Sequence, residues 1–317
     1  MTSMQSDRRP DVLAVHSVDK FVFTVPNLHE ARHFYESFGL NVKVQGRRLD
    51  LYTYNHPHCW ASIFESGSPK RLEYVSLGIF EEDVSGMEAR LSRYNIASEP
   101  HPLSDSDGMW LRNPDGLFMQ LKVVKKTSPN TKTVPTISVA RAAGQRCAPS
   151  RNEIKPIYPR RLSHVLFFSP DVTRMIHFCQ TVLGLRVSDK SGDAIAFLHT
   201  PHGSDHHLIA FAKSTHPGLH HSSWDVASID EVGCGAEQMK KNGYGSGWGV
   251  GRHVLGSNYF YYVRDPWGSY AEYSFDIDYV PSTIDWVGED HPAEDALYVW
   301  GPEVPDEFIK NYEQTLI

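Results

Sequence analysis

Two histidines and one glutamate, His164, His221 and Glu272, lie in separated segments of the second half of the chain. Each segment reads as a short strand. Two neutral imidazoles and one carboxylate on one face of a metal ion leave its opposite face open. This donor set is typical of ferrous iron that reacts with dioxygen. The three residues therefore predict a single metal site, provided that their side chains meet.

The surroundings of the glutamate support this prediction. Glu272 follows Tyr270 and Ala271 and precedes Tyr273 in a strand that reads as buried. A buried carboxylate without a partner is costly, so a cation beside it is favoured. Taken singly, the three residues are more often a core histidine, a surface histidine and a solvated glutamate. Their combination in one repeated framework favours the metal site.

The elements that would position these residues occur twice. Residues 21–40 parallel residues 165–185, and each copy reads as an apolar strand, a Pro-Asn or Pro-Asp turn that caps a helix, and a closing Gly-Leu. Residues 111–120 parallel 263–272 around Asn-Pro-Asp-Gly and Asp-Pro-Trp-Gly, which predict hairpin turns. The chain therefore reads as two copies of one fold.

Strands and helices alternate in the same order within each copy, so the sequence predicts an α+β fold of four βαβββ modules. The length of 317 residues suits two domains better than one. The segment between the copies is rich in Pro, Ser, Thr, Lys and Arg and reads as a linker. The predicted boundaries are 12–125 for the N-terminal domain, 126–160 for the linker, 161–290 for the C-terminal domain and 291–317 for a tail.

The repeat also predicts which copy holds the metal. Aligned on their prolines, the copies place Lys20 opposite His164 and Gln120 opposite Glu272. The middle position aligns with Glu73 or Tyr74, depending on a gap. An ammonium and an amide cannot complete the predicted ligand set. We therefore expect one metal per chain, in the C-terminal half.

At these residues the chain resembles the vicinal oxygen chelate superfamily, and more narrowly the type I extradiol ring-cleavage dioxygenases of the catechol 2,3-dioxygenase kind. The resemblance covers about residues 15–300. It implies two open-barrel domains, of which the C-terminal one binds Fe(II), less often Mn(II), while the N-terminal one is metal-free. It also implies cleavage of a catechol ring next to its vicinal diol with O2, giving a ring-opened semialdehyde or keto acid. Such relatives commonly form homo-oligomers.

The resemblance assigns roles residue by residue. His164, His221 and Glu272 match the metal ligands, and His207 matches the active-site acid/base. Because neighbours alternate across a strand, only one of His206 and His207 can face the pocket, and the match favours His207. Two further residues match groups that hydrogen-bond the substrate oxygen. These are His253 and Tyr262.

Pocket walls are less sharply marked in the sequence. Candidate substrate-binding residues are Leu166, Phe197, His199 and Trp248, for which ordinary core packing is the open alternative. Relatives that take a substrate carboxylate hold it with arginines. Trp248 and Leu297 stand near the corresponding positions here, which favours a catechol without a carboxylate side chain.

Composition excludes several other partners. The formal net charge is −7 with no basic tract, which argues against nucleic acid and anionic membranes. The chain has no apolar run of membrane-spanning length and no apolar signal region, so we expect a cytoplasmic protein. Its four cysteines have no CxxC spacing and read as reduced.

Three alternatives stay open at this point. A glyoxalase-like isomerase would use a further glutamate ligand where this chain has His221. A keto-acid dioxygenase would share the ligand triad but not the set of His207, His253 and Tyr262. A metal-free binding protein of the bleomycin-resistance type would need no triad.

Overall fold

The computed structural model describes residues 8–136 and 143–313. Parts of the predicted linker, 126–160, and of the predicted tail, 291–317, lie outside these residues. Among the helices of the described ranges, none combines the length and the apolar character needed to span a membrane.

The N-terminal half forms a seven-stranded sheet in the order β2-β3-β4-β1-β5-β7-β6. Helices α1, Leu28–Ser37, and α2, Val84–Tyr94, each connect successive strands of this sheet. The strands are β1 Ser17–Val25, β2 Asn41–Gln45, β3 Arg48–Thr53, β4 His56–Glu65, β5 Arg71–Ile79, β6 Met109–Arg112 and β7 Phe118–Val123.

The C-terminal half forms a ten-stranded sheet in the order β18-β9-β10-β12-β8-β13-β16-β15-β14-β19, and β11 pairs with β17 in a separate ribbon. Its helices are α3, Val172–Phe178, extended by a π-helical turn over Cys179–Leu183, and α4, Ile229–Lys241. The strands are β8 Arg161–Ser169, β9 Arg186–Ser191, β10 Ile195–His199, β11 Ser204–Asp205, β12 Ile209–Lys213, β13 Gly218–Asp225, β14 Gly247–His253, β15 Tyr259–Arg264, β16 Tyr270–Phe275, β17 Tyr279–Val280, β18 Glu289–Asp290 and β19 Tyr298–Trp300.

Local sequence explains the repeated strand–helix unit. Asn27 caps α1 by accepting from the backbone N–H groups of His29 and Glu30, and Asp171 caps α3 by accepting from that of Arg174. Gly184 ends the second unit at a φ of +74°, where an added Cβ would lie 2.4 Å from the Leu13 carbonyl oxygen. Only glycine fits this left-handed position without strain.

The two halves pack against each other through a buried seam. Phe38 of the first half stacks on Tyr273 of the second with ring centroids 4.0 Å apart, and the Tyr273 hydroxyl donates to the Phe38 carbonyl. Lys70 and Asp265 form an ion pair whose side chains are each 2% exposed. Since a buried charge is stable only when paired, this contact fixes how the halves meet.

The predicted α+β class is confirmed, with two open sheets rather than closed barrels. The second of the four predicted βαβββ modules has two strands after its helix and not three, because the segment after α2 forms only an isolated bridge between Ala97 and Leu111. The tail contributes β19 to one edge of the C-terminal sheet, and β18, directly before the tail, forms the other edge. The domain boundaries named above stay a prediction.

Candidate metal centre

Three adjacent central strands of the C-terminal sheet carry His164, His221 and Glu272. Ser223 of β13 pairs with His164 of β8 on one side and with Glu272 of β16 on the other. His221 lies two residues before Ser223, so its side chain points to the same face. Strand register therefore brings together three residues that are far apart in sequence.

The three ligand atoms converge. His164 Nε2 lies 3.2 Å from His221 Nε2 and 3.4 Å from Glu272 Oε2, and His221 Nε2 lies 3.6 Å from the same oxygen. In the described parts of the chain, this is the group of three such side chains whose ligand atoms could share one ion. All three residues are buried.

Hydrogen bonds set the tautomer of His221. The Phe308 carbonyl oxygen can only accept, so His220 Nε2, 2.8 Å away, donates to it. A neutral His220 then presents Nδ1 as an acceptor, and His221 Nδ1 donates to it across 2.7 Å. The Nε2 atom of His221 is left unprotonated, with its lone pair toward the other two ligands.

His164 is held in the same way. Its Nδ1 lies 3.3 Å from the Ser163 hydroxyl, which itself donates to Asp205 across 2.7 Å. The hydroxyl oxygen therefore accepts from His164 Nδ1, and Nε2 of His164 is again the unprotonated atom. Arg161 clamps the Asp205 carboxylate with both terminal nitrogens, at 2.6 and 3.0 Å.

Glu272 completes the set. Its Oε1 accepts from the Asn258 amide across 3.0 Å, whereas Oε2 is buried without a hydrogen-bond partner. This oxygen faces the two imidazole lone pairs. Burial also lowers the pKa of His221 well below its ordinary value, so His221 supplies no positive charge. Three electron-rich atoms in mutual contact are costly unless a cation lies between them, and this donor set fits a divalent metal ion.

His207 lies directly beside the triad. Its ring centroid is 4.0 Å from that of His164 and 4.7 Å from that of Phe197. Burial and the neighbouring His164 and His206 lower its pKa well below the ordinary value, so the imidazole is neutral. His207 and not His206 lines the cavity, but the two lie between β11 and β12 and not in a strand, so the expected strand alternation is not the reason; His206 instead reaches Asp189.

His253 and Tyr262 form a second pair at the site. The Leu297 carbonyl accepts from His253 Nδ1 across 2.7 Å, so His253 Nε2 accepts from the Tyr262 hydroxyl across 2.9 Å. His253 Nε2 is 4.0 Å from Glu272 Oε1. Burial lowers the pKa of His253, and burial with the nearby Glu272 raises that of Tyr262, so both groups are uncharged.

A cavity of about 310 Å³ opens beside these residues. Leu166, Phe197 and Trp248 line it, as the sequence suggested, and so do both the triad histidines and His207. The remaining walls are mainly apolar, and the tail supplies several of them. The tail residues are Ala293, Ala296, Leu297, Phe308 and Ile309.

His199 is the exception, and we remove it from the predicted lining. His199 is not among the residues that line the cavity. Its side chain is buried elsewhere, with Nδ1 2.7 Å from the Ser188 hydroxyl.

Sequence reasoning missed Asn258 and most of the tail. The amide of Asn258 bridges Glu272 and Ser274, but it lies in a loop with no periodic pattern to mark it. The tail had one signal, the apolar run beginning at Ala296. Trp248 anchors this segment, since its indole N–H donates to the Pro302 carbonyl across 2.9 Å.

Comparison with known proteins gives consistent matches. A family model described as the glyoxalase/bleomycin resistance protein/dioxygenase superfamily matches residues 161–273. Metapyrocatechase 2 from Cupriavidus necator is 49% identical over 302 residues, which cover 95% of this chain and 93% of that protein. Biphenyl-2,3-diol 1,2-dioxygenase from Paraburkholderia xenovorans (strain LB400) is 30% identical over 149 residues, 44% of this chain and 47% of that protein.

Among solved structures, an extradiol ring-cleaving dioxygenase from B. fuscum superimposes with a TM-score of 0.76. The match covers 98% of this chain and 86% of that chain at 18% sequence identity. At that identity the superposition concerns the fold alone.

Proposed function

Because the chain belongs to the metapyrocatechase family of extradiol dioxygenases, we propose that it cleaves the ring of a catechol next to the vicinal diol with O2. The product is a ring-opened semialdehyde or keto acid. The observation that carries the proposal is the convergence of His164, His221 and Glu272 at the wall of an apolar cavity. The 49% identity over nearly the whole chain also makes the isomerase, keto-acid dioxygenase and metal-free alternatives less favourable.

The metal is Fe(II) in this proposal, with Mn(II) as the second candidate, because both accept the same ligands and geometry. His164, His221 and Glu272 would hold it through Nε2, Nε2 and Oε2. When bound, such an ion supplies Lewis acidity toward the diol and a route for electrons from the ring to dioxygen. Metal content after purification and after loading with each ion tests the choice.

His207 is the proton-transfer residue. It lines the cavity next to His164, and its Nδ1 is already engaged by His206, which leaves Nε2 for the substrate. A neutral imidazole takes a proton from a catechol hydroxyl and returns it later in the reaction. The low dielectric of the buried site strengthens each of these hydrogen bonds.

Tyr262 and His253 orient the diol from the other side. The two groups form one hydrogen-bonded unit that is tied to the tail through Leu297. A positioned hydroxyl and imidazole beside the ligand Glu272 fix which substrate oxygen lies nearest to them. Their role is therefore to hold the ring for cleavage.

The cavity favours an apolar ring substituent. Its walls carry Leu166, Ile195, Phe197 and Leu255, and Trp248 and Leu297 occupy the positions considered for carboxylate-binding arginines. Lys213 lines the cavity but is paired with Asp193. A substrate carboxylate would therefore lose water without gaining a free cation. Catechol, alkylcatechols and aryl catechols fit this lining.

The test is oxygen uptake and ring-fission absorbance after anaerobic loading with Fe(II). We expect metal-dependent uptake with catechol, alkylcatechols and 2,3-dihydroxybiphenyl, and much lower kcat/KM with 3,4-dihydroxyphenylacetate. Bound metal without uptake on any diol would overturn the proposed reaction. Equal kcat/KM with the carboxylated substrate would overturn the apolar preference alone.

Two further expectations from the resemblance are part of the proposal. The enzyme is a homo-oligomer, which sedimentation of the purified full chain checks. It acts in the cytoplasm, which fractionation of cells that produce it checks.

A further inference from the structure

A hydrogen-bonded chain runs from His207 away from the cavity. His207 Nδ1 lies 3.0 Å from His206 Nδ1, and His206 Nε2 lies 2.7 Å from Asp189 Oδ2. His206 and His207 are 0% and 3% exposed, and Asp189 is 7% exposed. The proposed reaction assigns no role to His206 or Asp189. The role of these two buried residues behind His207 is therefore a separate question.

Asp189, the last residue of this hydrogen-bonded chain, determines which atom donates in each hydrogen bond. Burial opposes ionisation of Asp189, but hydrogen bonds from His206 and the Glu289 backbone hold its pKa below the ordinary value, so it is a carboxylate. A carboxylate only accepts, so His206 Nε2 donates to it. In the tautomer whose single ring proton is on Nε2, His206 offers Nδ1 as an acceptor, and His207 Nδ1 lies 3.0 Å away to donate to it.

We propose that Asp189 and His206 are positioning residues that hold His207 in the tautomer whose Nε2 is unprotonated and available to the substrate diol. The proposal rests on the proposed function, because it assigns a partner to the proton-transfer residue of that reaction. It also gives a role to the buried Asp189 carboxylate, which contacts His206 on the side away from His207.

The segment 286–291, around the start of the tail, fixes Asp189 in turn. Its second oxygen, Oδ1, accepts from the Glu289 backbone N–H across 2.8 Å and lies 3.5 Å from His291 Nε2. Trp286 donates to the Ser188 carbonyl across 2.9 Å, beside the same residue. Both carboxylate oxygens are therefore used, which leaves Asp189 one orientation in which Oδ2 meets His206.

The N-terminal half provides an internal comparison. Strand register matches Val165 and Ile209 to Phe21 and Ala61, so His206 and His207 correspond to His58 and Cys59. On the neighbouring strands, Phe197 pairs with Asp189 in the C-terminal half, and Asp50 pairs with Lys43 at the same place in the N-terminal half. Lys43 therefore corresponds to Asp189. The half without a metal triad thus has Lys43 at the position of Asp189 and Cys59 at the position of His207. At these positions, the pairing of a carboxylate with two histidines occurs only in the half that carries the triad, which links it to the reaction.

The test compares Asp189→Asn with the parent enzyme, loaded with the same metal. The amide can donate to His206 Nε2, which reverses both tautomers and puts the proton of His207 on Nε2. We expect kcat to fall about 10- to 100-fold, as for loss of a group that orients a metal-site residue. KM and metal content stay within about twofold, and Asp189→Glu recovers part of kcat because it restores the carboxylate.

A double-mutant cycle separates this role from a structural one. If Asp189 acts through His207, Asp189→Asn lowers kcat no further in the His207→Phe background. An equal fall in both backgrounds would overturn the proposal, and so would full kcat in Asp189→Asn. If this variant does not fold, His206→Phe gives the same test, because it keeps a ring of similar size but offers His207 Nδ1 no acceptor.

Asp290→Asn is the matched control. Its carboxylate joins the same edge strand, β18, to Lys190 and the Gly192 backbone, but forms no hydrogen bond to His206. We expect unchanged kcat, whereas a fall equal to that of Asp189→Asn would mean that the position of β18, not the tautomer of His207, is responsible. Failure of the proposed function is distinct, because the parent would then show no oxygen uptake with any catechol.

Discussion

In the C-terminal sheet, His164 pairs with Ser223, which pairs with Glu272; in the N-terminal sheet, Lys20 pairs with Ser76, which pairs with Gln120. The same ladder therefore carries ligands in one half and an ammonium and an amide in the other. Counting two residues back from each serine places His221 opposite Tyr74. Register thus resolves the choice between Glu73 and Tyr74 that the sequence alignment left open.

The N-terminal counterpart of the site is filled by its own side chains. Lys20 Nζ contacts both carboxylate oxygens of Asp105, at 3.0 and 3.1 Å. Tyr74 packs edge-on against Trp110 at 5.0 Å, where the C-terminal half has His221 and Tyr262 at 5.1 Å. The comparison teaches that one sheet framework supports either a metal site or a packed core, depending on a few inward positions.

Glu272→Gln makes the C-terminal site resemble the N-terminal one and has the largest expected effect. The amide offers no charge to offset a divalent ion, so metal content falls to near zero and catechol cleavage is lost. Metal analysis together with oxygen uptake measures both. The matched change Gln120→Glu leaves one metal per chain, and a fully metallated, active Glu272→Gln would contradict the assigned ligand set.

His207→Phe removes the proton-transfer residue without touching a ligand. We expect kcat to fall about 10²- to 10⁴-fold, which is the usual size of an acid–base contribution. Bound metal stays at the parent level, as metal analysis checks. Cys59→Ala, at the corresponding N-terminal position, leaves kcat unchanged. Parent-level turnover in His207→Phe would remove the residue from the mechanism.

Tyr262→Phe deletes the hydroxyl that bonds His253. We expect a fall of about 10- to 100-fold in kcat/KM, because the diol loses a group that orients it beside the ligands. Steady-state kinetics with catechol measure this. Trp110→Phe makes a similar aromatic change at the matching N-terminal position and should not alter kcat/KM. Equal effects of the two changes would show a general packing defect.

Lys70→Met tests the seam between the halves. It leaves Asp265 buried without its cation, which costs about 3–5 kcal/mol of the free energy of unfolding. Urea unfolding measures the change. Lys190→Met breaks an exposed pair with Asp290 and should cost less than about 1 kcal/mol. Similar losses for both variants would mean that the seam is not specially stabilised.

The smallest expected effect is on the pH dependence of the free energy of unfolding, and it comes from Glu313. Its carboxylate accepts from the backbone N–H groups of Leu72 in the first half and Leu219 in the second. Burial raises its pKa from an ordinary 4.5 to about 7. Between these values the folded chain binds more protons than the unfolded chain, so this group's stabilisation decreases as pH rises.

Glu313→Gln should therefore decline less in stability between pH 5 and 7 than the parent, as unfolding by urea at each pH measures. Glu307→Gln, an exposed carboxylate in the same tail, keeps the parent slope. An identical slope in Glu313→Gln would contradict the raised pKa.

The sequence predicted the repeat, the α+β class and the meeting of the three triad residues, because strand periodicity and turn motifs are local signals. It did not predict that His199 would contact Ser188 instead of lining the cavity, because the partner that a buried histidine meets is decided by tertiary packing. Asn258 and the carbonyls of Leu297 and Phe308 were also invisible. Backbone groups have no sequence signature, and tertiary packing alone decides which side chain they meet.

Trp248 lies where the tail, His253 and Tyr262 meet, and it is 2% exposed. Indole fluorescence depends on the polarity around the ring and on whether its N–H is bonded. Release of the tail carbonyl at Pro302 would expose this ring to water, which shifts its emission to longer wavelength. The enzyme thus carries an intrinsic optical reporter beside its catalytic centre. The difference between the emission spectra of the parent and of Trp248→Phe gives the signal of Trp248 apart from the other tryptophans.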